Sequence, residues 1–228
     1  MFTVIIPTLN SEAHLLALLG SLEGVPIVVS DGGSEDDTLR IAANAGARIA
    51  AGEAGRGHQL ARGVEWTAKT DDSGWYLILH ADCILPEDWQ TQIVHHMKNY
   101  PKRAAYFRFG ADDKGFNPRF MEFVVGLRDI WPVFPYGDQG LLISRKMYET
   151  VGGYKEQALF EDVEIIRAIK KHYGRKGLSR MSGRLKTDVS AYRRDGYLKR
   201  CVRNLRIIRA YNKGIDIDTL CARYRCED

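Results

Sequence analysis

Several features are scarce in this chain of 228 residues, and each scarcity removes a class of protein. Cysteine occurs four times, at Cys83, Cys201, Cys221 and Cys226. No Cys-x-x-Cys pair or regular framework is present, which excludes a small disulfide-stapled module. Cys221 and Cys226 lack the partner ligands that a zinc site requires. The cysteines read as free thiols in a reducing compartment, so the expected location is cytoplasmic. Long apolar runs are also missing. No segment approaches the roughly 18 consecutive apolar residues of a membrane-spanning helix. The N-terminus enters a strand-like run at once, with no basic region or cleavage site, so no secretory signal is expected. A Gly-x-Gly-x-x-Gly turn is absent after that first run, where Pro7-Thr8-Leu9-Asn10 stands instead. This disfavours a nicotinamide-dinucleotide site. The glycine-bearing stretch Gly55-Arg56-Gly57-His58-Gln59 does not have Walker spacing. No internal repeat, low-complexity tract or clear interdomain linker interrupts the chain.

With 45% hydrophobic and 27% charged residues, the composition suits one sizeable globular domain, or one domain with an appendage. The formal charge of +4 hides an asymmetry. After residue 166 there are eighteen Lys and Arg against six Asp and Glu, so the front is acidic and the back basic. Nucleic acid is not an expected partner. A basic tail can face anionic lipid or a phosphorylated substrate, or form a solvated helix face.

Hydrophobic periodicity predicts an alternating β-α-β-α-β-α-β order in the first eighty residues. Phe2 to Pro7, Pro26 to Ser30, a weak Ala47 to Ala51 and Trp75 to His80 read as strands. Ser11 to Leu22 carries Leu15, Leu16, Leu18, Leu19 and Leu22 at helical spacing. Ser34 is the expected N-cap of a helix from Glu35 to Ala45. Gly55 to Gly63 reads as a turn leading into a helix through Lys69. This order implies a parallel sheet with right-handed crossovers. Beyond Asp82 the pattern predicts helices over Glu87–Asn99, Asn117–Asp129, Asp162–Lys171, 196–212 and 218–225. Strands are expected at Ala104–Phe109 and Leu141–Ser144.

The chemistry-bearing residues fall at strand ends. His80-Ala81-Asp82 directly follows the apolar run Trp75 to Leu79. An acid just past the carboxyl end of a buried parallel strand sits where open α/β sheets bind ligands. A carboxylate there can hold a divalent cation, which in turn can hold a diphosphate. Pro7, Thr8, Asn10 and Glu12 lie at the end of the first strand. Asp31 ends the second, and Gly32 lets a ligand approach the backbone. Arg56 and His58, at a glycine-bearing helix entrance, are candidates for phosphate contact. Glu161 and Asp162 open a helix, where the macrodipole favours acids and where a carboxylate base can also be presented.

The ordered set Ile6-Pro7-Thr8-Leu9-Asn10, Asp31-Gly32-Gly33-Ser34, Gly55-Arg56, Leu79-His80-Ala81-Asp82, Pro135-Tyr136-Gly137-Asp138-Gln139-Gly140 and Glu161-Asp162-Val163-Glu164 resembles a family-2 glycosyltransferase of GT-A type. More narrowly, it resembles the group called radical-SAM/selenodomain-associated transferase 2, for which the Tyr136 to Gly140 element is the most diagnostic. The resemblance runs from Val4 to about Arg225. It implies an α/β, GT-A-type (Rossmann-like) mixed, mainly parallel sheet flanked by helices, forming one domain over residues 1–228. Within it, 1–100 would be the nucleotide-binding half, 101–195 the acceptor and catalytic half, and 196–228 a basic helical tail.

By the same resemblance, a nucleotide-diphosphate sugar is the donor partner, with Mn²⁺ or Mg²⁺ as cofactor. Thr8, Asn10 and Asp31 would contact base and ribose. Asp82 would be the metal-binding acid. His80 stands where the Asp-x-Asp motif has its first acid, and imidazole can ligate Mn²⁺. Cys83 stands where a small hydroxyl residue is usual, and Ser11 replaces a frequent acid while Glu12 is kept. Asp138 and Gln139 would lie near the acceptor or transferred sugar. Asp162 would be the general base of an inverting displacement, with Glu161 its neighbour. Ser190-Ala191-Tyr192-Arg193-Arg194 resembles a basic segment that closes over the diphosphate. Two other functions stay open on the sequence: a sugar-phosphate nucleotidyltransferase, which typically opens with a glycine-rich basic loop absent here, and a non-catalytic nucleotide-sugar-binding protein. The acceptor and the oligomeric state are not specified. Leu198, Val202, Leu205, Ile207 and Ile208 alternate with five cations between Tyr197 and Tyr211. That spacing predicts a helix packed on the catalytic domain, with cations outward and a peripheral contact at the inner face of the membrane as one expectation.

Overall fold

The computed structural model describes residues 1–70 and 73–226, with side chains described through position 222. Cys226 and the end of the last helix therefore lie outside the described side chains. Cys83 and Cys201 are free thiols.

One eight-stranded sheet runs through the molecule in the order β3-β2-β1-β4-β7-β6-β8-β5. Its strands are β1 (Phe2–Thr8), β2 (Ile27–Asp31), β3 (Arg48–Ala51), β4 (Trp75–Ile78), β5 (Cys83–Ile84), β6 (Ala104–Ala111), β7 (Leu141–Ser144) and β8 (Leu178–Thr187). β1, β2, β3 and β4 pair in parallel, β7 runs antiparallel between β4 and β6, and β8 pairs parallel with β6. The short β5 closes the far edge antiparallel to β8. The sheet is therefore mixed and mainly parallel, as expected.

Alternation along the strands divides the core between two faces, because successive side chains point to opposite sides. On one face Val4, Ile6, Val29 and Leu77 pack with Leu15, Leu18 and Leu22 of α1 (Glu12–Ser21) and the segment after it. Trp89 and Ile93 of α4 (Trp89–Asn99) join them. On the other face Ile5, Val28, Tyr76 and Ile78 meet Leu60 and Val64 of α3 (Arg56–Thr70). Met147 of α6 (Arg145–Val151) and Ile165 and Ile169 of α7 (Glu161–Tyr173) complete that layer. Strands buried on both faces explain the near-continuous apolar runs in the sequence.

The chain leaves β1 for β2 and β3 on one side and returns to β4 on the other. That reversal opens a crevice beyond the carboxyl ends of β1 and β4, the position at which open α/β sheets hold ligands.

Several elements differ from the sequence expectation. The second helix, α2 (Thr38–Asn44), begins three residues later than expected. Ser34 does not cap it. Its hydroxyl donates to Asp31 at 2.5 Å and accepts the Asn10 N–H at 2.9 Å, so the loop consumes the capping group. The expected turn over 55–63 is already helix from Arg56 onward. Gly57 lies in the first turn of α3 and donates its N–H to the Gln157 carbonyl at 3.0 Å. A β-carbon there would come 2.3 Å from the Lys155 carbonyl oxygen and 2.5 Å from that of Gln157, so the residue permits close chain approach rather than a turn.

β5, β8, α6 and α8 (Ser190–Asp195) have no counterpart in the expectation. β8 hides its pattern because Arg180, Arg184 and Lys186 sit among its core residues and its pairing with β6 shifts register between Tyr106 and Arg108. α6 is seven residues long, too short to declare a helical period. It is capped by Ser144 Oγ on the Met147 N–H at 3.2 Å and ended by Gly152 at φ 86°. The remaining helices are α5 (Phe116–Ile130), α9 (Tyr197–Asn212) and α10 (Ile217–Cys226).

Candidate active site

Three loops meet at the mouth of the crevice. The first is built from the ends of β1 and β2. Asp31 is fully buried and accepts four hydrogen bonds: from Thr8 Oγ1 at 2.9 Å, from the Gly33 and Ser34 N–H groups at 2.8 Å each, and from Ser34 Oγ at 2.5 Å. Burial pushes this carboxyl up, but the hydrogen bonds from Ser34, Thr8 and Gly33 outweigh it and hold the group below the ordinary range.

Asn10, in the left-handed region at φ 49°, accepts the Glu35 N–H at 2.9 Å. Glu12 accepts the Asp37 N–H at 2.9 Å. Gly32 donates its N–H to the Thr8 carbonyl at 2.9 Å, and Pro7 lies in register with Ser30. The side chains of Thr8, Asn10, Glu12 and Asp31 thus build the loop itself.

Two residues that sequence reasoning missed fasten this loop from α3. Gln59, 4% exposed, donates Nε2 to the Thr8 carbonyl at 2.6 Å and to the Ser30 carbonyl at 3.2 Å. Arg62 reaches the carbonyls of Asp31, Ala50 and Glu53 at 2.7, 3.2 and 3.3 Å. No local pattern in the sequence marks either residue, since their partners are backbone atoms of three separate strand ends.

The second loop follows β4. His80 is half-buried, and Cys83 donates its thiol to the His80 carbonyl at 2.7 Å, tightening the turn. Burial pushes the His80 imidazole down to about 4. The Arg56 charge adds to that shift, and Asp82 and Asp162 oppose it. The ring is therefore neutral near pH 7, with a lone pair to offer. Asp82 accepts Thr187 Oγ1 from the end of β8 at 3.1 Å. Thr187 could not be found from sequence because its strand was not legible.

The third loop joins α5 to β7. Gly137 donates its N–H to Asp162 Oδ2 at 2.9 Å. A β-carbon on Gly137 would come 2.6 Å from His80 Nε2 and 3.5 Å from Asp162 Oδ2, so this glycine is wedged between the other two residues. Asp162 Oδ1 accepts the Val163 N–H at 2.7 Å.

Beside it Glu161 is 1% exposed, and neither carboxylate oxygen has a hydrogen-bond partner among the described residues. Arg56 Nη1 approaches one of them at 3.6 Å. Burial pushes the Glu161 carboxyl up to about 7, with Arg56 opposing and Asp162 reinforcing the shift. Asp138 also carries a buried oxygen without a partner. Burial raises it to about 6 against the pull of Arg128, and Asp162, Asp82 and Asp129 add to the rise. His80, Asp82, Asp138, Glu161 and Asp162 thus form one field of mutually felt charges, with Arg56 facing it.

Gln139 lies under this loop and spends its whole hydrogen-bonding capacity there. Its Nε2 donates to the Phe107 carbonyl and to Asp129, each at 3.1 Å. Its Oε1 accepts Arg128 at 2.7 Å and the Tyr136 N–H at 3.3 Å. Arg128 also lies 3.8 Å over the Tyr136 ring. His58 stands at the rim, 3.9 Å from Glu156. Arg193 reaches Asp113 at 3.3 Å, and Arg194 reaches Asp195 at 2.8 Å, both on exposed side chains.

No group of three or more His, Cys, Asp or Glu side chains forms a ready cation cage among the described residues. The donor set does fit a cation shared with a substrate. Asp82 and the neutral His80 offer two protein ligands. Magnesium is commonly held by one or two carboxylates with substrate phosphates supplying the rest.

An α/β sheet with charged loops converging at its reversal point is the architecture of an enzyme that holds a nucleotide-like ligand above the strand ends. Residues 3–155 match the family model described as glycosyl transferase family 2, and the chain belongs to that family and is a glycosyltransferase. No curated protein sequence matches it.

Among solved structures it is similar to glucosyl-3-phosphoglycerate synthase from Mycobacterium tuberculosis. In the complex with Mn²⁺, uridine diphosphate and glucosyl-3-phosphoglycerate the identity is 17% and the TM-score 0.61, covering 83% of this chain and 70% of that one. The same enzyme with Mn²⁺, UDP-glucose and glycerol 3-phosphate gives the same values. With Mg²⁺ and uridine diphosphate the identity is 16% and the TM-score 0.60, at the same coverage. These likenesses establish the GT-A-type fold.

Proposed function

We propose that this chain moves a sugar from a nucleotide-diphosphate sugar to an acceptor hydroxyl, with inversion and with a divalent cation, and that Asp162 is the general base. The observation that carries the reading is the wedge of Gly137 between His80 and Asp162. It joins the turn after β4, suited to a metal-bound diphosphate, to the carboxylate that opens α7. The narrower placement, in the radical-SAM/selenodomain-associated transferase 2 group, rests on the Tyr136 to Gly140 element. The similar mycobacterial enzyme binds a UDP-sugar with Mn²⁺, which is the chemistry proposed here.

In this reading the loop built by Pro7, Thr8, Asn10, Glu12, Asp31 and Gly32 receives base and ribose, and residues 1–100 form the donor half. Arg56, His58, Arg193 and Arg194 supply positive charge for the diphosphate. Asp82 and His80 hold the cation, which when bound neutralises charge growing on the leaving group. The acceptor oxygen forms its bond to the anomeric carbon as the bond from that carbon to the diphosphate oxygen breaks. The acceptor proton passes to Asp162, whose oxygens each keep a lone pair beside the N–H they already accept. Asp138, with its unpartnered buried oxygen, faces the sugar or acceptor within the half formed by residues 101–195. Gln139 serves by holding that loop, since its own amide is fully engaged.

A thermal-shift panel of nucleotide sugars, each with and without Mn²⁺, tests the donor assignment. The matching donor stabilises the fold by mass action. In Asp82→Ala the shift produced by donor plus Mn²⁺ should vanish while the unliganded melting temperature holds, because Asp82 is a strand-end acid outside the core. An unchanged donor shift in that variant removes Asp82 from the site. Gly137→Ala tests the wedge. The added carbon would lie 2.6 Å from His80 Nε2, so His80 or the loop must move, and transfer should fall on the order of tenfold or more, since small displacements of reacting groups are costly. Wild-type turnover would show that the crevice does not depend on that close approach.

A further inference from the structure

Helix α5 carries an apolar face that the rest of the described chain leaves uncovered. Phe116, Phe120, Phe123, Leu127, Ile130 and the following Trp131 recur at helical spacing and are all exposed, Phe116 at 79% and Trp131 at 67%. Phe116 and Phe120 stack with ring centroids 6.0 Å apart. Isolated exposed hydrophobic residues are ordinary, but a continuous stripe of aromatics along a whole helix marks a contact surface.

The charges around the stripe are mostly positive, Asp112 being the exposed exception. Both carboxylates of α5 are turned inward. Glu122 pairs with Arg119 and Arg184, and Asp129 is held by Gln139. α9 lies alongside, sharing a small core with α5 through Met121, Val125, Tyr197 and Cys201. It contains five Lys and Arg and no acid; contrary to the outward placement expected for its cations, Arg200 is buried against Asp195, while Leu198, Val202 and Leu205 are exposed. The acids bordering this region, Asp113 and Asp195, are paired with Arg193 and with Arg194 and Arg200. At the other end of the stripe the Arg175 guanidinium lies 3.5 Å over the Trp131 ring.

We infer that the α5 face, rimmed by the exposed cations Lys199, Arg206 and Arg209 of α9 and by Arg175, docks on an anionic lipid bilayer. The aromatic stripe suits the acyl boundary, Trp131 suits the headgroup level, and the cations suit lipid phosphates. A second copy of the chain fits less well. Two-fold pairing sets the same patch against itself, and a rim of cations then meets cations with only Asp112 exposed to answer them. The C-terminal end of α5 leads directly to Arg128 and the loop of Asp138. An acceptor carried by the bilayer would therefore arrive beside Asp162. That consequence rests on the transferase reading above, whereas the docking itself does not.

Co-sedimentation with vesicles of phosphatidylglycerol in phosphatidylcholine, beside vesicles of phosphatidylcholine alone, decides it. The wild-type chain should bind the anionic vesicles at least tenfold more tightly than the neutral ones, and binding should weaken as salt rises. Phe120→Ser with Phe123→Ser should lower binding to anionic vesicles about tenfold or more, with an unchanged melting temperature because both rings are already in solvent. Donor-induced thermal shifts should be the same in this variant as in wild type, which separates the docking face from the crevice. Failure to bind anionic vesicles at low salt overturns the inference, as does binding that ignores the two substitutions. Sedimentation velocity showing a dimer that the same substitutions dissolve would assign the face to a second copy instead.

Discussion

Asp162→Asn is expected to lower transfer about 10³-fold while donor affinity survives, within the range for removal of a general base. The substitution nearly conserves volume. The amide oxygen can still accept one of the two N–H groups now bound, from Gly137 at 2.9 Å or from Val163 at 2.7 Å, so the loop should remain closed. What is lost is the capacity to take up a proton. Single-turnover rates with saturating donor isolate that step from binding. Glu161 provides the control. Its carboxyl is buried and pushed up to about 7, so Glu161→Gln replaces a group whose charged form burial already disfavours. If Glu161→Gln produces the large loss and Asp162→Asn does not, the base is the other acid of the pair.

The second large effect is on stability. Asp31→Asn should cost about 3 kcal/mol, because hydrogen bonds to a buried charged acceptor are among the stronger ones and mispairing leaves polar groups unsatisfied. An asparagine keeps one acceptor oxygen but turns an NH₂ toward donors. The displaced partners would be the Gly33 and Ser34 N–H groups, or the Thr8 and Ser34 hydroxyls. The pH dependence gives a second readout. The folded pKa of Asp31 is depressed, so its contribution is fully present above the ordinary carboxyl range and disappears as pH falls through the folded value. The difference in stability between wild type and Asp31→Asn should therefore narrow on acidification below about pH 4. Chemical denaturation at pH 7 and pH 3 measures both quantities. A difference that does not change with pH would show that the carboxylate's charge contributes nothing to the loop.

The parallel half of the sheet was legible because its strands are buried on both faces. Val4, Ile5 and Ile6, like Val28 and Val29, leave little alternative to a central strand. The start of α2 was misread because Ser34 looks like a cap in sequence while its hydroxyl is taken by Asp31, a residue of its own turn. β8 was illegible because cations interrupt its core pattern and a register shift breaks its period. Asp31, His80 and Asp82 could be singled out by their positions after apolar runs, and Glu161 and Asp162 by opening a helix, whereas Asp138 was indicated only by the family resemblance. Gln59, Arg62 and Thr187 could not, since each acts on a strand end distant in sequence. For α5 the sequence predicts only a helix over Asn117–Asp129, because periodicity does not show whether anything covers an apolar side.

The stacking of Phe160 on Tyr211 ties α9 to the two acids that open α7. Phe160 sits at φ 65° immediately before Glu161, and its ring lies 4.3 Å from that of Tyr211, at the end of α9. Arg167 of α7 reaches the Asn212 side chain and lies 5.5 Å over the same Tyr211 ring. A left-handed phenylalanine is a costly conformation that persists only where its surroundings hold it. α9 is then a strut under the first turn of α7. Helix α9 is therefore not a detachable appendage, and tilting it is expected to slow the proposed transfer as well as weaken the proposed surface attachment.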